Sequence, residues 1–506
     1  MPVLFRLDGR EVTVERDDVT LLAALRLELG VTTVKDGCAP QGQCGCCTVW
    51  VDGSPRVACV TPVRRVSGRD VTTVDGLDAS VRQRFADAFV ATGASQCGFC
   101  TPGIVMRLAA LDPSAPPDEV DRALLAHLCR CTGWQTVEEA FASTGGAAPV
   151  RDFAAAARRA ALEGHTSQRV GPDVVFGHGG FADDTAPADA LVAVPTLAGD
   201  WIVAETLEEA RAAAGKVQGR RTTIPLRHPL EVPDGDWDLT LRTTWVEPGY
   251  LEPDASWCAP GGEPATPLAN GGAFGGKLAS IAPGGARRLA DEHSRTVRVV
   301  LAREDVARLG PKRPPLAAGL RRDGTGTIRV IRTTGIADAI HAVLPGVTVE
   351  EVDVPGPPTS VSVRAAGWAE ASVLKAALSG DARVANASAS IDVDGTVRVV
   401  VDAGDPLDAV VLRSYCIGAA HMGLGWVRSE GLAVDDGGAV QDLTIRSFGI
   451  LRAVDTPPIE ITTTPSDAAA VNASDSVFAA VAAAAWIAEG LPTDWPTRRS
   501  VRSPET

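Results

Sequence analysis

Positive charge is scarce in this sequence. The chain of 506 residues has 48 Lys and Arg against 63 Asp and Glu, which gives a net charge of −15. Such a chain repels phosphate backbones, and because no basic stripe alternates with aromatic residues, we do not expect nucleic-acid binding. Its hydrophobic content of 45% is ordinary for a globular protein, and its length favours about three domains.

Long hydrophobic runs are also missing. The longest, from Val477 to Ala488, has about a dozen residues where a membrane helix needs roughly 20, so it predicts a buried helix. The N-terminal residues MPVLFRLDG lack the basic segment and apolar core of a signal peptide. We therefore expect a cytoplasmic protein with no membrane insertion.

Several catalytic signatures are absent as well. The histidines show no HxH or HExxH spacing, which argues against a histidine-held metal, and no GxSxG nucleophile motif occurs. No dinucleotide fingerprint follows a predicted strand. The segment GGAFGGKL imitates a phosphate-binding loop, but Leu278 stands where a Ser or Thr would hold magnesium, so a nucleotide site is not expected there.

Cysteine, in contrast, is abundant and clustered. Nine of the 11 cysteines lie between Cys38 and Cys131, and eight of them form two sets of four. The first set has the spacing C-x5-C-x2-C-x11-C and the second has C-x2-C-x28-C-x-C. The sets are Cys38, Cys44, Cys47 and Cys59, then Cys97, Cys100, Cys129 and Cys131.

The first set follows the plant-type [2Fe-2S] pattern, in which a compact run of three thiolates is joined by a remote fourth. One residue more than usual separates Cys38 from Cys44. Cys46 competes with Cys47 for the third ligand position. We favour Cys47, because it restores the two-residue gap and directly precedes a strand-like segment.

Zinc and disulfides are the alternatives for these cysteines. A four-cysteine zinc site suits the second set in particular, where a CxxC pair is joined by CxC. Disulfides are typical of small secreted chains, which this large chain does not resemble. Two four-cysteine sets in consecutive domains favour iron.

The residues before and around the first set predict a small α+β domain. Alternation around Asp8-Gly9 predicts a β-hairpin, and leucines at helical spacing from Asp18 to Leu29 predict a helix. Two short strands, over 48–52 and 56–60, follow the cysteine loop. We place this domain at residues 1–75.

The second set lies in a helical region, which we place at residues 76–143. Helical periodicity from Ala79 breaks at Gly93 and resumes in three further segments. Residues 144–200, rich in Ala, Gly, Asp and Pro, are expected to form a linker or an extended wrap. Residues 201–506 form the remaining part of an α+β multidomain protein.

Three segments identify a family. GCAPQGQCGCCTV with Cys59, SQCGFCTPG and HLCRCTGW resemble, in order, the two [2Fe-2S] domains of the xanthine oxidase family of molybdenum hydroxylases. The resemblance implies a β-grasp ferredoxin domain and a four-helix [2Fe-2S] domain. It also implies that electrons pass from a molybdopterin site through the second cluster, then the first, to a flavin, and that Gln96 contacts the pterin.

Fragments after residue 201 resemble the family's molybdopterin domain in a shortened form. NGGAFGGKL is similar to its glycine-rich loop, in which backbone amides approach an anion or a flat cofactor. The loop glycines are Gly271, Gly272, Gly275 and Gly276. PPTSVSVRAAG resembles the stretch around the family's substrate-side arginine and places Arg364 there.

The departures from the family pattern concern catalysis. Ala473 occupies the position of the family's proton-abstracting glutamate, with Asp475 as an outside candidate. Leu278 and Tyr415 replace a glutamate and a cofactor-binding glutamine, and a long family segment is missing after Leu378. We therefore assign no catalytic residue in this chain.

Our first hypothesis is an iron-sulfur electron-transfer subunit of a multi-subunit molybdenum hydroxylase. A partner subunit would hold the molybdopterin cofactor and another the FAD, and the C-terminal part would serve mainly for assembly. A second hypothesis is a self-contained hydroxylase of a heteroaromatic or aldehyde substrate, and a third is a non-catalytic zinc-binding scaffold.

Overall fold

The computed structural model describes residues 1–143, 150–215, 224–268, 270–271 and 273–498. Within these ranges the strands are β1 (Val3–Leu7), β2 (Arg10–Val14), β3 (Thr48–Val51), β4 (Ser54–Val57), β5 (Asp70–Thr72), β6 (Leu191–Pro195), β7 (Trp201–Ala204), β8 (Leu239–Arg242), β9 (Asp254–Cys258), β10 (Val297–Leu301), β11 (Leu316–Leu320), β12 (Gly326–Ile331), β13 (Val347–Val352), β14 (Arg383–Val384), β15 (Ala387–Ile391), β16 (Val397–Val401) and β17 (Ile459–Thr463).

The α-helices in the same ranges are α1 (Leu21–Ala23), α2 (Ala79–Thr92), α3 (Thr101–Leu108), α4 (Pro117–Leu124), α5 (Gln135–Ala142), α6 (Phe153–Gly164), α7 (Pro172–Val175), α8 (Ala182–Thr185), α9 (Leu207–Ala213), α10 (Ala282–His293), α11 (Arg303–Leu309), α12 (Ile336–His341), α13 (Trp368–Ser379), α14 (Ala409–Arg428) and α15 (Ser474–Ala488).

The first sheet has the order β2-β1-β5-β3-β4. The predicted hairpin is present, and its turn residues Asp8 and Gly9 both have positive φ, as a tight two-residue turn requires. The predicted helix is shorter than expected. It begins at Leu21, after Thr20 caps it, and passes into a π-helical turn that ends at Glu28.

Four helices, α2 to α5, carry the second cysteine set. Gly93 has a φ of 72° and ends α2, which explains the break in helical periodicity at that residue. Cys100 directly precedes α3, and Cys129 and Cys131 lie in the loop between α4 and α5. This helical arrangement confirms the expected fold class for the second region.

The expected linker over 144–200 is wrong in large part. Its Ala-rich segment forms α6, which begins after the capping residue Asp152 and packs Ala156 and Ala160 against Val411 of α14. Strand β6 pairs with β7 and with β10, so the predicted boundary at residue 200 divides a β-hairpin. Small apolar side chains made the segment look irregular, although they allow a helix to pack closely.

The C-terminal region contains mixed α+β structure. In the described part of the chain, three four-stranded sheets have the orders β7-β6-β10-β9, β13-β12-β11-β8 and β14-β15-β16-β17. Helices α14 and α15 pack against each other in its core, where Trp426 and Phe478 stack with ring centroids 5.1 Å apart. The apolar run that predicted a buried helix is α15.

The N-terminal and C-terminal regions share a hydrophobic core. Val105 and Phe141 of the helical region belong to the same buried cluster as Leu432, Phe448 and Ile450. Burial of apolar surface between the two regions therefore stabilises both. Among the described residues, no helix is both long and apolar enough to cross a membrane.

Candidate metal centres and the adjoining cavity

The first cysteine set converges below the surface of the first sheet. Cys38 contacts Cys44 and Cys59 through their thiols, and Cys47 contacts Cys59. All four residues are buried. The backbone N–H of Cys59 donates to Cys47 Sγ at 3.4 Å. These contacts bring together the four thiols that the spacing predicted.

The electrostatics of the set favour a bound cation. Hydrogen bonds from Cys44 and Cys59 lower the pKa of the Cys38 thiol, and the same bonds raise the pKa values of Cys44 and Cys59. Four thiolates at this separation would repel one another in a buried site. Ferric iron offsets that repulsion, so the donor set fits a [2Fe-2S] cluster.

Cys46 is buried beside the set, where its thiol contacts that of Cys44. Its thiol faces the carbonyl oxygen of Cys44 at 3.9 Å, and it lies 3.1 Å from the point where a Cβ on Gly37 would stand. Cys47, in contrast, contacts Cys59. The geometry therefore supports Cys47 as the third ligand.

The second set consists of two thiol pairs. Cys131 and Cys97 have their Sγ atoms 3.6 Å apart, and Cys100 contacts Cys129. Across the described ranges no group of three or more His, Cys, Asp or Glu side chains is placed to hold a single metal ion. Thiols that meet two by two suit a cluster of two irons, since each iron takes two of the four thiolates.

The two cysteine sets are joined by a direct backbone contact. Leu128, which precedes Cys129, donates its N–H to the carbonyl oxygen of Cys44 at 3.0 Å. A Cβ on Gly103 would lie only 2.3 Å from the Gly45 carbonyl oxygen. Glycine at position 103 is therefore required for the two domains to approach this closely.

His127 fills the remaining space between the sets. A Cβ on Gly45 would lie 2.4 Å from its ring, and its Nε2 is 3.2 Å from both Gly103 O and Thr48 Oγ1. Burial lowers the pKa of His127 to about 3, so the ring is neutral at physiological pH. His127 thus packs the contact without adding charge.

The unusually long gap between Cys38 and Cys44 has a structural role. Gln41 extends from this loop to the C-terminal region, where its Nε2 donates to Glu304 Oε1 and to Leu443 O, each at 3.0 Å. Ile445 donates its N–H back to the Gln41 side chain at 3.4 Å. These contacts tie the cysteine loop to the C-terminal region, and no sequence signal pointed to them.

A buried ion pair covers the second set. Arg130, between Cys129 and Cys131, forms two hydrogen bonds to the carboxylate of Glu430 and donates Nε to Pro248 O at 2.9 Å. Both side chains are almost fully buried. Two parallel charge-assisted bonds fix the loop that holds two cysteines against the C-terminal region.

A cavity of about 370 Å³ adjoins the second set. Cys97, Cys100 and Cys131 form one wall, and side chains from distant parts of the chain form the others. These other lining residues include Gln96, Glu163, His165, Arg364, Tyr415 and Asp475. The side-chain amide of Gln96 donates to Ser414 Oγ at 3.0 Å and to Cys131 O at 3.0 Å.

Arg364 is the main buried cation of this cavity. Its guanidinium stacks over Phe274 and Phe478, each ring centroid 5.2 Å away, and its Nε has no hydrogen-bond partner in the described structure. Burial lowers the pKa of Arg364 to about 10. Asp475 is its nearest carboxylate, at 4.0 Å. The arginine predicted from the sequence thus faces a cavity and is incompletely neutralised.

The glycine-rich loop borders the cavity and also packs against neighbouring parts of the chain. Gly271 and Gly275 line the cavity, but a Cβ on Gly275 would lie 1.6 Å from Ser362 O and one on Gly276 would lie 2.8 Å from the Tyr250 ring. These two glycines are thus required by contacts within the protein. Gly272 lies outside the described residues.

Two carboxylates approach the position of Ala473, and sequence reasoning missed one of them. Asp475 bonds His165 at 2.6 Å, while Glu163 accepts the N–H of Ser474 at 2.8 Å and is paired with Arg159. Burial raises the pKa of Glu163. Glu163 lies in α6 and His165 directly follows that helix, so both come from the segment that we expected to be a linker. The available sequence signal was the pairing of Arg159 with Glu163, four residues apart in an Ala-rich stretch, which is typical of a helix.

Comparisons with known proteins agree with the N-terminal geometry. Residues 1–76 match the family described as "2Fe-2S iron-sulfur cluster binding domain", and residues 73–142 match "[2Fe-2S] binding domain". The chain therefore carries two [2Fe-2S] domains, which favours iron over the zinc alternative.

Curated relatives match the same region. The nicotine 6-hydroxylase small subunit of Paenarthrobacter nicotinovorans is 40% identical over 137 residues, which cover 26% of this chain and 82% of that protein. Aldehyde oxidase 2 of Cavia porcellus is 40% identical over 156 residues. Xanthine dehydrogenase/oxidase of Mus musculus is 35% identical over 159 residues. The matches span 12% of the length of each of these two larger relatives.

Solved structures resemble almost the entire chain. The aldehyde oxidoreductase from Desulfovibrio gigas superposes with a TM-score of 0.66 and covers 96% of this chain and 97% of its own, at 13% sequence identity. At that identity the likeness establishes the fold. It extends the confirmed α+β multidomain architecture to the C-terminal region.

Proposed function

The chain belongs to the xanthine oxidase family of molybdenum hydroxylases, whose members are oxidoreductases, and on this premise we propose that it is the electron-transfer subunit of a multi-subunit enzyme. A molybdopterin-binding subunit would donate electrons to it, and an FAD-binding subunit would accept them. The observation that carries this proposal is the pair of four-thiol sites joined through Leu128. The small-subunit relative, 82% of which is covered, supports the division into subunits.

The cysteines have defined roles in this proposal. Cys97, Cys100, Cys129 and Cys131 hold the inner cluster beside the cavity, and Cys38, Cys44, Cys47 and Cys59 hold the outer one. When bound, the two [2Fe-2S] clusters accept and donate single electrons. The Leu128 N–H to Cys44 O bond gives a short path between the two sites with one hydrogen bond.

The C-terminal region excludes water from both sites and keeps their loops in place. Glu430 holds the Arg130 loop, and Gln41 ties the first loop to Glu304 and Leu443. Burial of this kind tunes the potential of a cluster as well as protecting it. We further propose a cytoplasmic location, because a reducing compartment keeps free thiolates available.

The cavity favours a second candidate, a chain that holds its own molybdopterin cofactor. Arg364 with its unsatisfied Nε would suit an anionic group, and Asp475 with His165 could move a proton. Two features oppose this candidate. The loop glycines are packed against the protein itself, and Ala473 stands in the place of the family glutamate.

Metal and cofactor analysis of the purified chain separates the two candidates. The chain should be produced in a host that makes the molybdopterin cofactor, and iron, molybdenum and released pterin should be measured. A subunit is expected to contain about four irons and no stoichiometric molybdenum or pterin. Stoichiometric molybdenum, together with turnover of a heteroaromatic or aldehyde substrate by this chain alone, would overturn the proposal in favour of the second candidate.

A further inference from the structure

Asn270 is a buried amide at the start of the glycine-rich loop, where only 1% of the residue is exposed. Its Nδ2 donates to Cys97 O at 2.6 Å, and its Oδ1 accepts the N–H of Arg169 at 2.7 Å. Because a carbonyl oxygen only accepts and a backbone N–H only donates, these partners fix which atom of the amide faces each of them. Asn270 thus joins the loop of the inner cysteine set to the chain segment that follows α6.

The backbone of Cys97 is held from both sides. Its N–H donates to the thiol of Cys131, and the Sγ atoms of the two cysteines lie 3.6 Å apart. Its carbonyl oxygen is the atom that Asn270 binds. Hydrogen bonds to the ligand sulfurs are among the factors that set the reduction potential of a [2Fe-2S] cluster. A change at Asn270 therefore reaches a ligand sulfur through the peptide groups of one residue, Cys97.

The other end of this contact is anchored in packed structure. A Cβ on Gly271, the residue after Asn270, would lie 2.6 Å from Gln168 Nε2, so the glycine-rich loop packs directly on the residue before Arg169. Gln168 in turn accepts a hydrogen bond from the hydroxyl of Tyr415 in α14. Tertiary contacts on both sides of the amide therefore hold Asn270 in one orientation toward the cysteine loop.

We propose that Asn270 is a positioning residue of the inner cluster, which fixes the Cys97 carbonyl and thereby sets the hydrogen bonding and the reduction potential of that cluster. This inference rests on the proposed electron-transfer function and gives the glycine-rich loop a part in it. The role agrees with the close packing of Gly275 and Gly276 against the protein itself. The amide presents the positive end of its dipole to the cysteine loop, which favours the reduced and more negative cluster.

The test is a redox titration of the cluster-loaded full chain, followed by electron paramagnetic resonance at about pH 8. Asn270→Leu keeps a similar volume and removes both hydrogen bonds, whereas Asn270→Asp keeps the shape and places a carboxylate oxygen against Cys97 O. Each variant should lower the midpoint potential of the inner cluster. For Asn270→Asp the equilibrium constant for reduction of that cluster should fall at least tenfold, which corresponds to about 59 mV for one electron.

Asn386 provides the matched control. Its amide also donates to backbone carbonyls, to Asp402 O at 2.7 Å and to Asn472 O at 3.2 Å, but these partners belong to the C-terminal region and not to a cysteine loop. Asn386→Leu and Asn386→Asp should leave the equilibrium constants for reduction of both clusters within about twofold of those of the unmodified chain. The signal that remains in Cys47→Ala identifies the inner cluster in these spectra.

The possible outcomes are distinct. An unchanged inner midpoint potential in both Asn270 variants, at full iron content, would overturn the positioning role and leave the electron-transfer function intact. Equal shifts of both clusters, or loss of both, would also overturn it, because they would indicate a general effect on the fold. Loss of the inner cluster alone, with the outer signal preserved, would support it. An unmodified chain whose bound iron accepts no electrons from dithionite would contradict the proposed function itself.

Discussion

The cluster region and the C-terminal region bury their polar groups in opposite ways. In residues 1–143 the notable groups are eight thiols directed at one another, six of them buried and two half-buried, an arrangement whose repulsion a bound cation offsets. In the C-terminal region buried charges are paired within the protein, such as Lys312 with Glu247 and Arg313 with Glu370. The first arrangement is a binding site, whereas the second mainly specifies packing.

On the function proposed above, the difference separates a region that binds cofactors from a region that supports it. The C-terminal region has the fold of the aldehyde oxidoreductase from Desulfovibrio gigas, as the likeness over 96% of the chain indicates. Its glycine loop nevertheless packs Gly275 against Ser362 and Gly276 against Tyr250, and the resemblance places Ala473 where the family has a glutamate. A retained fold is therefore compatible with a change of role from catalysis to the support of a neighbouring site.

The largest effect is expected from replacing Cys47, the assigned ligand, in comparison with its buried neighbour Cys46. Replacing Cys47 with Ala should remove the outer cluster and reduce the iron content from about four to about two atoms per chain. Replacing Cys46 with Ala should preserve both clusters, because Cys47 makes the contact with Cys59. Iron analysis and the electron paramagnetic resonance spectrum of the reduced chain measure how many clusters each variant retains. Loss of iron in the Cys46 variant alone would reverse the ligand assignment.

A smaller effect is expected where the two regions meet. Replacing Glu430 with Ala leaves the Arg130 charge buried and unpaired, which should lower the free energy of unfolding by about 3–5 kcal/mol. The matched control is Glu139→Ala, which breaks the half-exposed pair with Arg413 and should cost less than about 1 kcal/mol. Denaturant unfolding of the cluster-loaded chain compares the two. Equal losses would show that the Arg130 contact does not stabilise the docking of the regions.

The smallest effect concerns the pair at the cavity and depends on pH. The hydrogen bond to Asp475 raises the pKa of His165 above its ordinary value of about 6.5. The stabilisation of the folded chain by the His165–Asp475 pair is therefore fully present below about pH 6.5, and it is lost as the pH rises through the raised pKa of His165. The melting temperature of His165→Gln should fall below that of the unmodified chain at pH 6 and approach it at higher pH.

The pair has a second limit at low pH. Burial alone would raise the pKa of Asp475, but the bond from His165 and the charge of Arg364 lower it, so the aspartate loses its contribution only as the pH falls through that depressed value. His178→Gln, at an exposed position, is the control and should show no such pH dependence. A constant difference across pH for His165→Gln would contradict the ion pair.

Much of the first region was predictable because its signals are local. The hairpin around Asp8-Gly9, the break at Gly93 and the two cysteine sets all depend on residues close together in the chain. Metal ligation restricts both residue type and spacing, so a few cysteines carry strong information. The boundaries of short elements were less accurate, as the later start of the first helix at Leu21 shows.

The cavity was predictable only in part. Gln96 and Arg364 were found from the resemblance, but Glu163 and His165 come from a segment expected to be a linker. Helix α6 is placed by close packing of its alanines against α14, and no local pattern reveals such a tertiary contact. The close contact of Gly275 with Ser362 O also joins distant parts of the chain, so the glycine motif alone did not predict it.

The sequence by itself determined the chemistry of this protein: two sets of four soft ligands, an acidic chain, and a family whose members transfer electrons. The tertiary structure decided which thiols meet, what the first cysteine loop contacts, and which side chains border the inner site. The physical reason is the distance along the chain over which each kind of interaction acts. Thiolate spacing and turn residues act over a few positions, whereas the contacts of Gln41 with Leu443, Arg130 with Glu430, and Glu163 with Ser474 join residues hundreds of positions apart.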